Sequence, residues 1–189
     1  MMASQLQRID RVSDETLSEE ADQYLAFRTR EERFALPIGL VREIIEYGTL
    51  TPVPMMPEFI RGVINLRGHV VPVIDLASRF GMGVTEPGKR TCIIIMEVEE
   101  GDTTLILGLV VDAVDSVFDL DPGDIEPPPR FGAGIRADFI AGMVKSEAGF
   151  VVLLDVGHVL STEDMKRLAE SSHLGERLLT SEADSTASR

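Results

Sequence analysis

Residues 59–76, FIRGVINLRGHVVPVIDL, decide the fold because they return in weakened form as residues 139–156, FIAGMVKSEAGFVVLLDV. Phe-Ile-x-Gly and two apolar residues open both stretches, and a valine-rich run that ends in Asp closes both. The offset is constant, since 139 minus 59 and 155 minus 75 both give 80. We interpret the pair as an internal repeat whose shared residues form a structural scaffold.

Short β-rich runs separated by turn residues surround both copies of the repeat. The predicted strands are 24–29, 33–38, 41–47, 63–66, 69–76, 91–98, 104–109 and 110–120. Many short strands with regular turn signals predict an all-β barrel or sandwich, and the duplication makes this two small barrels. Pro57 and Gly62 bound a predicted helical turn at 57–61, and Pro72 predicts an edge or a bulge in its strand.

Composition narrows the classes of function. A net charge of −14 argues against a nucleic-acid or anionic-membrane surface as the main target. Cys92 is the single cysteine, which excludes an intrachain disulfide and a cysteine-rich metal site. The absence of a long apolar run predicts a cytoplasmic protein without direct membrane insertion. We expect an acidic tail at 1–22, a folded region at 23–168 that ends in a helix beginning near Ser161, and a second tail at 169–189.

The sequence gives little evidence for a group of catalytic residues. The three histidines lie in different segments without metal-ligand spacing, so no metal or cofactor is expected. Asp75 and Asp155 occupy equivalent strand ends, each before a short predicted helix, and helix N-capping explains both. The G-x-G-x-x-A pattern at 131–137 follows a triple proline rather than a strand, which argues against phosphate binding. Cys92 is interpreted as an inert core thiol. We therefore do not predict an enzyme.

The polar tip Asn65-Leu66-Arg67-Gly68 is present in the first copy alone, and Asn65 is the only Asn in the chain. Gly68 is suited to the positive φ of a tight connection. Arg67 is either a surface arginine on a turn or the partner of Glu43 in the preceding β-rich segment. In the second case the pair would be partly buried and would hold the two strands in register, and removing one partner would cost about 3–5 kcal/mol if the pair were fully buried.

These residues resemble the CheW family, the adaptors of bacterial chemotaxis. The similarity rests on the segment from Val41 to Ile44, on P-x-F-I-R-G-V-x-N-L-R-G and on V-P-V-I-D-L, in this order, with G-L-V-V-D-x-V and I-x-P-P-P in the second half. It extends from about residue 24 to residue 168. The resemblance implies a mainly β fold of two intertwined, SH3-like, five-stranded barrels with short helices, a C-terminal helix and a hydrophobic seam between the barrels.

The resemblance also implies a function. CheW proteins are non-catalytic scaffolds that couple the cytoplasmic tip of chemoreceptors to the regulatory domain of the histidine kinase CheA, in arrays at the membrane. The positions that match the receptor-facing and barrel-junction region of the family are Val41, Glu43, Ile44, Gly62, Asn65, Arg67 and Gly68. An adaptor of a non-flagellar chemosensory pathway is an alternative. A small β-barrel ligand-binding protein or enzyme that uses Asp75, Asp155 and a histidine is a more remote one.

Overall fold

In the part of the chain that the structure describes, ten β-strands form two five-stranded sheets, and two short α-helices accompany them. The computed structural model describes residues 22–100, 102–128 and 137–159. The strands are β1 Asp22–Thr29, β2 Glu32–Pro37, β3 Val41–Glu46, β4 Ile60–Leu66, β5 His69–Asp75, β6 Cys92–Glu100, β7 Thr103–Val111, β8 Ala113–Leu120, β9 Ile140–Ser146 and β10 Gly149–Leu154. The helices are α1 Leu76–Arg79 and α2 Val156–Val159, and short 3-10 helices lie at Ile38–Leu40, Pro122–Asp124 and Ala137–Phe139. The mainly β fold predicted from the sequence is confirmed.

The two halves of the chain exchange a hairpin. Barrel 1 has the strand order β3-β6-β7-β5-β4, and barrel 2 has the order β8-β1-β2-β10-β9. The β6–β7 hairpin of the second half therefore completes barrel 1, and the β1–β2 hairpin of the first half completes barrel 2. This exchange is the intertwining that the resemblance implied. Because each barrel contains strands from both halves, neither half of the sequence forms a barrel by itself.

The internal repeat is visible as a repeated unit of structure. The unit is β4-β5-α1 in the first copy and β9-β10-α2 in the second, and its elements start 80 residues apart, since 140 minus 60, 149 minus 69 and 156 minus 76 all give 80. An isolated bridge adds a residue from the preceding loop to each copy, Thr51 to Val63 in the first and Glu126 to Met143 in the second. The shared residues of the repeat therefore lie in equivalent strands and helices of the two barrels.

Three apolar clusters form the core of the described part of the chain. One fills barrel 1, one fills barrel 2, and the largest lies between the sheets and draws on both. Aromatic rings follow one another through this seam, with centroid distances of 5.7 Å for Phe27–Phe34, 5.6 Å for Phe34–Phe80 and 5.4 Å for Phe80–Phe139. The guanidinium of Arg79 lies 4.9 Å from the ring centres of both Phe59 and Phe139, equivalent residues of the two copies. The seam therefore joins the barrels into one packed unit.

Two local expectations need correction. No helix forms at 57–61. Ile60 donates to the carbonyl of Pro57 in a single turn, and β4 then begins, because pairing with β5 and with Thr51 favours extended backbone.

β5 is not an edge strand, since it lies between β4 and β7. Its pairing with β7 starts at Val73, one residue after Pro72. Opposite Pro72, Val63 makes its backbone hydrogen bonds to Thr51 instead of β5, so the missing N–H leaves no gap in that ladder.

Several expectations concern residues outside the described ranges. These are the two tails, most of the glycine-rich stretch at 131–137 and the helix from Ser161 onward. The described chain does turn into the short helix α2 immediately after β10. Among the described residues, no helix is long and apolar enough to cross a membrane.

Candidate partner-binding site

The predicted ion pair between Arg67 and Glu43 is present. The Nη2 of Arg67 lies 3.0 Å from the Oε2 of Glu43, but the Arg67 side chain is 78% exposed and that of Glu43 is 25% exposed. The expectation of a partly buried pair is therefore wrong for the arginine, because Arg67 stands on a turn that projects from the barrel. An exposed pair of this kind contributes about 0–1 kcal/mol to stability, so the larger cost estimated for a buried pair does not apply.

The pair joins the two outer strands of barrel 1. Glu43 lies on β3 and Arg67 follows β4, and these strands are at opposite ends of the sheet order. The sequence suggested that the pair would hold two strands in register. It does not, because β3 and β4 are not neighbours in the sheet. It instead links the two edges of the sheet at one end of the barrel, and it leaves most of the guanidinium facing solvent.

The tip that carries Arg67 has a locally determined backbone. Arg67 and Gly68 connect β4 to β5 and have φ values of 52° and 84°, the two positive values of a tight hairpin turn. The Oδ1 of Asn65 accepts a hydrogen bond of 3.0 Å from the N–H of Gly68. Asn65 therefore stabilises the turn that presents Arg67, which is a structural reason for the single Asn of the chain.

The apolar candidates on β3 differ in exposure. The strand has a bulge between Val41 and Glu43, so that Val41 lies opposite Met96 and Ile44 lies opposite Ile94. Val41 packs against the seam, whereas Ile44 is 43% exposed. Ile44 is thus the apolar side chain of this strand that is available to a partner, and Val41 supports it from the core side.

Gly62 is buried in β4 and contacts backbone rather than solvent. Its φ is +145°, and a Cβ built on it would lie 2.4 Å from the carbonyl oxygen of Thr51. Only glycine permits this approach, which places Thr51 against Val63. Gly62 is therefore a structural residue of the candidate site, and any effect on a partner would act through the shape of barrel 1.

We predict that Gly62→Ala lowers the free energy of unfolding by at least about 2 kcal/mol, because the new Cβ strains the backbone and breaks the contact with Thr51. Urea denaturation followed by circular dichroism measures the loss. Gly68→Ala is the matched control, since Gly68 also has positive φ but a Cβ added there would have nothing within 4 Å, and we expect it to cost about 1 kcal/mol. Equal losses in the two variants would contradict the role of close packing at Gly62.

The corresponding tip of barrel 2 lacks these features. At an offset of 80, Lys145 replaces Asn65, Glu147 replaces Arg67 and Ala148 replaces Gly68. Lys145 instead forms an ion pair of 3.5 Å with Glu126. The Arg67 tip is therefore specific to one copy of an otherwise repeated scaffold.

A groove between the barrels was not predicted from the sequence. It has a volume of about 710 Å³. Its floor contains the buried apolar residues Val98, Leu154 and Val156, and its described lining also includes Arg42, Glu97, Glu99, Ala141 and Asp155. Arg42 is the extra residue of the bulge between Val41 and Glu43, so the groove begins next to the candidate residues of β3.

Among the residues that the structure describes, the side chains considered for catalysis do not assemble into a site. Asp75 is completely buried and accepts hydrogen bonds from Ser78, Thr85 and Arg61, which confirms its N-capping role at α1. Asp155 lines the groove, where its Oδ2 lies 2.8 Å from the Nδ1 of His158, and Asp75 does not line that cavity. The described residues contain no cluster of His, Cys, Asp or Glu that could hold a metal ion.

Cys92 is half-buried against the seam. Burial raises the pKa of its thiol, and a hydrogen bond with the backbone of Val114 opposes this only in part. The thiol therefore remains protonated near neutral pH, as expected for an unreactive core cysteine.

The fold and the site together define a class of protein: a double β-barrel with an exposed polar tip on one barrel and a groove between the barrels. The family model for the CheW-like domain matches residues 23–164. The chain is 34% identical to the chemotaxis protein CheW of Rhizobium meliloti over 140 residues, which are 74% of this chain and 88% of that protein. It is 31% identical to the protein FrzA of Myxococcus xanthus over 150 residues, covering 78% and 90% of the two chains.

A solved structure shares this architecture. The crystal structure of the scaffolding protein TtCheW from Thermoanaerobacter tengcongensis superposes with a TM-score of 0.68 at 35% sequence identity, and the match covers 75% of this chain and 89% of that one. The chain belongs to the CheW family. It is accordingly a non-catalytic scaffold of the chemotaxis type, with the SH3-like double-barrel fold of that family.

Proposed function

We propose that this protein couples the cytoplasmic tip of chemoreceptors to the regulatory domain of a CheA-type histidine kinase, in the cytoplasm at membrane-bound receptor arrays. The observation that carries the proposal is the tip of barrel 1, where Arg67 is paired with Glu43 and yet is 78% exposed. The tip occurs in one barrel only, and its arginine is exposed rather than engaged in the core as Arg61 is. Asymmetry combined with exposure supports a contact with a specific partner.

The receptor surface in this proposal combines charge with an apolar contact. Arg67 supplies five N–H donors, of which only part of the fork is used by Glu43. Ile44, 43% exposed on the strand that carries Glu43, supplies the apolar contact. Asn65 and Gly68 set the tip geometry, and Val41 and Gly62 hold the strands behind it. A receptor helix that lays an apolar stripe across β3 would meet both kinds of contact.

Kinase binding is assigned to surfaces of the two barrels away from this tip. The family resemblance implies a partner domain with the same double-barrel fold. A scaffold that bridges two partners must leave each surface free when the other is occupied, so we expect the receptor fragment and the kinase domain to bind together rather than compete.

Isothermal titration of the full chain with a receptor signalling-tip fragment, and separately with a kinase regulatory domain, tests the proposal. Each partner is expected to bind with a dissociation constant in the roughly micromolar range. Addition of the second partner to the first complex should yield a ternary complex in size-exclusion chromatography. Failure to bind either partner would refute the coupling function, and mutual exclusion would refute the assignment of separate surfaces.

A further inference from the structure

The two barrels correspond strand by strand, and in each of them two edge strands do not pair with one another. The orders β3-β6-β7-β5-β4 and β8-β1-β2-β10-β9 make β3 the equivalent of β8 and β4 the equivalent of β9. β3 and β8 also share a bulge, in which Arg42 and Asp115 are the extra residues. The edges β8 and β9 of barrel 2 can therefore be compared residue by residue with the edges β3 and β4 of barrel 1.

The ion pair that links the edges of barrel 1 has no counterpart in barrel 2. Ser116 follows the bulge of β8 as Glu43 follows the bulge of β3, and Glu147 stands 80 residues after Arg67. A serine and a glutamate cannot replace a glutamate and an arginine as an ion pair. Among the described residues, no salt bridge joins β8 to β9.

Barrel 2 has a cleft along these edges. The barrel 2 cleft has a volume of about 440 Å³ and is lined by residues from all five strands of the barrel. Its floor is apolar, because Leu120, Val144 and Val151 are core residues of barrel 2. Its rim carries the exposed Asp119 and Asp124, neither of which forms a salt bridge with a described residue. An occupant therefore needs apolar groups for the floor and positive charge for these two acids.

The cations in the lining of the cleft do not neutralise these two acids. Lys145 is already in a salt bridge of 3.5 Å with another residue. Arg33 lies opposite Arg28 in the ladder of β1 and β2, whereas Asp119 lies opposite Gln23. Positions 28 and 23 are five residues apart along β1, which corresponds to about 17 Å of strand. The cleft therefore has an acidic end without a cation beside it.

The chain enters barrel 2 at this acidic end. Asp22, the first residue of β1, lies opposite Leu120 of the cleft floor, so the segment that precedes it starts next to the cleft. Residues 1–12 contain two Arg and one Asp, a net of +1 in a chain whose net charge is −14. Residues 13–21 contain four acids and no Lys or Arg. The tail thus consists of a cationic segment and an acidic connector.

The cationic segment matches both surfaces of the cleft. Leu6, Ile9 and Val12 recur every three residues, the spacing that puts apolar side chains along one side of a helix. Arg8 and Arg11 are also three residues apart, so the same spacing places them together beside this apolar stripe. The stripe suits the floor of the cleft, and the two arginines suit the two acids of its rim.

The connector is long enough for the segment to reach the cleft. Nine residues, 13–21, span up to about 30 Å when extended. A short tether of this kind holds its segment at an effective concentration in the roughly millimolar range. A segment that binds the cleft with a dissociation constant of about 0.1 mM would therefore be bound for about nine tenths of the time.

We propose that residues 6–12 of this chain occupy the barrel 2 cleft, where the apolar stripe contacts the floor and the two arginines contact Asp119 and Asp124. The segment covers the edges of barrel 2, which lack the ion pair that links the edges of barrel 1. The proposal goes beyond the coupling function and does not depend on it, because the cleft and its occupant belong to the same chain.

Limited proteolysis of the full chain with trypsin measures the occupancy. Because cleavage follows the population in which the segment is released, Asp119→Asn/Asp124→Asn should be cut after Arg11 at least about fivefold faster than the wild type. The tail sequence is identical in both proteins. Glu58→Gln/Glu86→Gln is the matched control, since it removes two exposed acids outside the cleft, and it should change the rate by less than about twofold. Equal rates for the wild type and Asp119→Asn/Asp124→Asn would overturn the proposal.

The amide resonances of the ¹⁵N-labelled full chain show where the segment binds. Leu6→Ser/Ile9→Ser removes two of the three side chains of the apolar stripe, so it should shift the resonances of the three floor residues. Leu17→Ser lies in the acidic connector and should leave those resonances unchanged. Shifts confined to the groove between the barrels, or no shifts outside the tail, would contradict binding in the barrel 2 cleft.

Protein concentration distinguishes the chain's own tail from that of a second copy. An intramolecular contact has the same occupancy at every concentration, so the protection of the bond after Arg11 should be equal at about 5 and about 500 µM protein. Protection that rises with concentration would assign the cleft to the tail of a second copy and would overturn the proposal. Neither a receptor nor a kinase enters these experiments, so their outcome is independent of the coupling function.

Discussion

Asp75→Ala is expected to lower the free energy of unfolding by about 3–5 kcal/mol, the cost of removing one partner from a buried ion pair. The carboxylate is completely buried, and Arg61, its charged partner, is only 19% exposed. Its loss leaves the guanidinium without its counter-charge and leaves the N–H and hydroxyl of Thr85 without an acceptor. It also removes the side-chain cap from the first turn of α1.

Urea denaturation followed by far-ultraviolet circular dichroism is the appropriate measurement, because the chain contains no Trp. Asp155→Ala is the matched control, since it alters the equivalent carboxylate of the repeat. That side chain is 38% exposed and contacts an exposed histidine, so its loss should cost less than about 1 kcal/mol. Equal losses from the two variants would show that burial and the arginine do not distinguish the copies.

A double-mutant cycle tests whether the unpaired guanidinium of Arg61 causes the loss of stability in Asp75→Ala. If the cost of Asp75→Ala comes mainly from an uncompensated guanidinium, Arg61→Ala combined with Asp75→Ala should recover part of the loss, with an interaction free energy of about 1–3 kcal/mol. Strict additivity of the two single losses would instead assign the effect to Thr85 and to the helix cap.

Most of the fold could be predicted because the two copies of the repeat share the same pattern of apolar residues. The valine-rich runs of both copies became β5 and β10, and the short polar segments became hairpin turns. The helical turn at 57–61 was mispredicted because Pro57 and Gly62 are local signals, whereas the bridge between Thr51 and Val63 is a tertiary contact. The exchange of hairpins between the barrels is likewise invisible to local patterns, since it depends on which strands pair across the chain.

Candidate site residues could be predicted from the sequence at positions where the two copies of the repeat carry different residue types. Asn65, Arg67 and Gly68 stood out because residues 145–148 lack them, and the Glu43–Arg67 contact followed from charge. Exposure was not predictable, since it depends on how far the β4–β5 tip projects. The groove was missed because its lining comes from β3, β6, β9 and β10, which lie far apart in the sequence.

Duplication explains why one scaffold can carry two different surfaces. Arg61 in the first copy closes the position beside Asp75 and stabilises barrel 1, while Ala141 in the second leaves the position beside Asp155 open. At the tip, by contrast, the arginine of the first copy is exposed: Arg67 faces solvent, and Glu147 replaces it in the second copy. The same repeated position therefore carries a buried charge in one copy and an exposed or uncharged side chain in the other.

Arg67→Glu is expected to weaken receptor-tip binding by at least about tenfold, equivalent to about 1.4 kcal/mol, while folding stability changes by no more than about 1 kcal/mol. The arginine is 78% exposed, so its loss leaves no buried charge. The substitution also places two carboxylates together on the proposed receptor surface and removes the N–H donors of the guanidinium. Isothermal titration and urea denaturation of the same preparations separate binding from stability.

Two further variants decide whether the position or the charge matters. Glu147→Arg makes a charge change of equal size at the equivalent tip of barrel 2 and should alter receptor binding by less than about twofold. Exchanging the pair, with Glu43→Arg and Arg67→Glu in one chain, restores the salt bridge but reverses its orientation. If Arg67 acts by direct contact with the receptor, the exchanged chain remains defective; if it acts only by linking the edges of barrel 1, binding returns. Full binding by Arg67→Glu itself would remove this tip from the receptor surface.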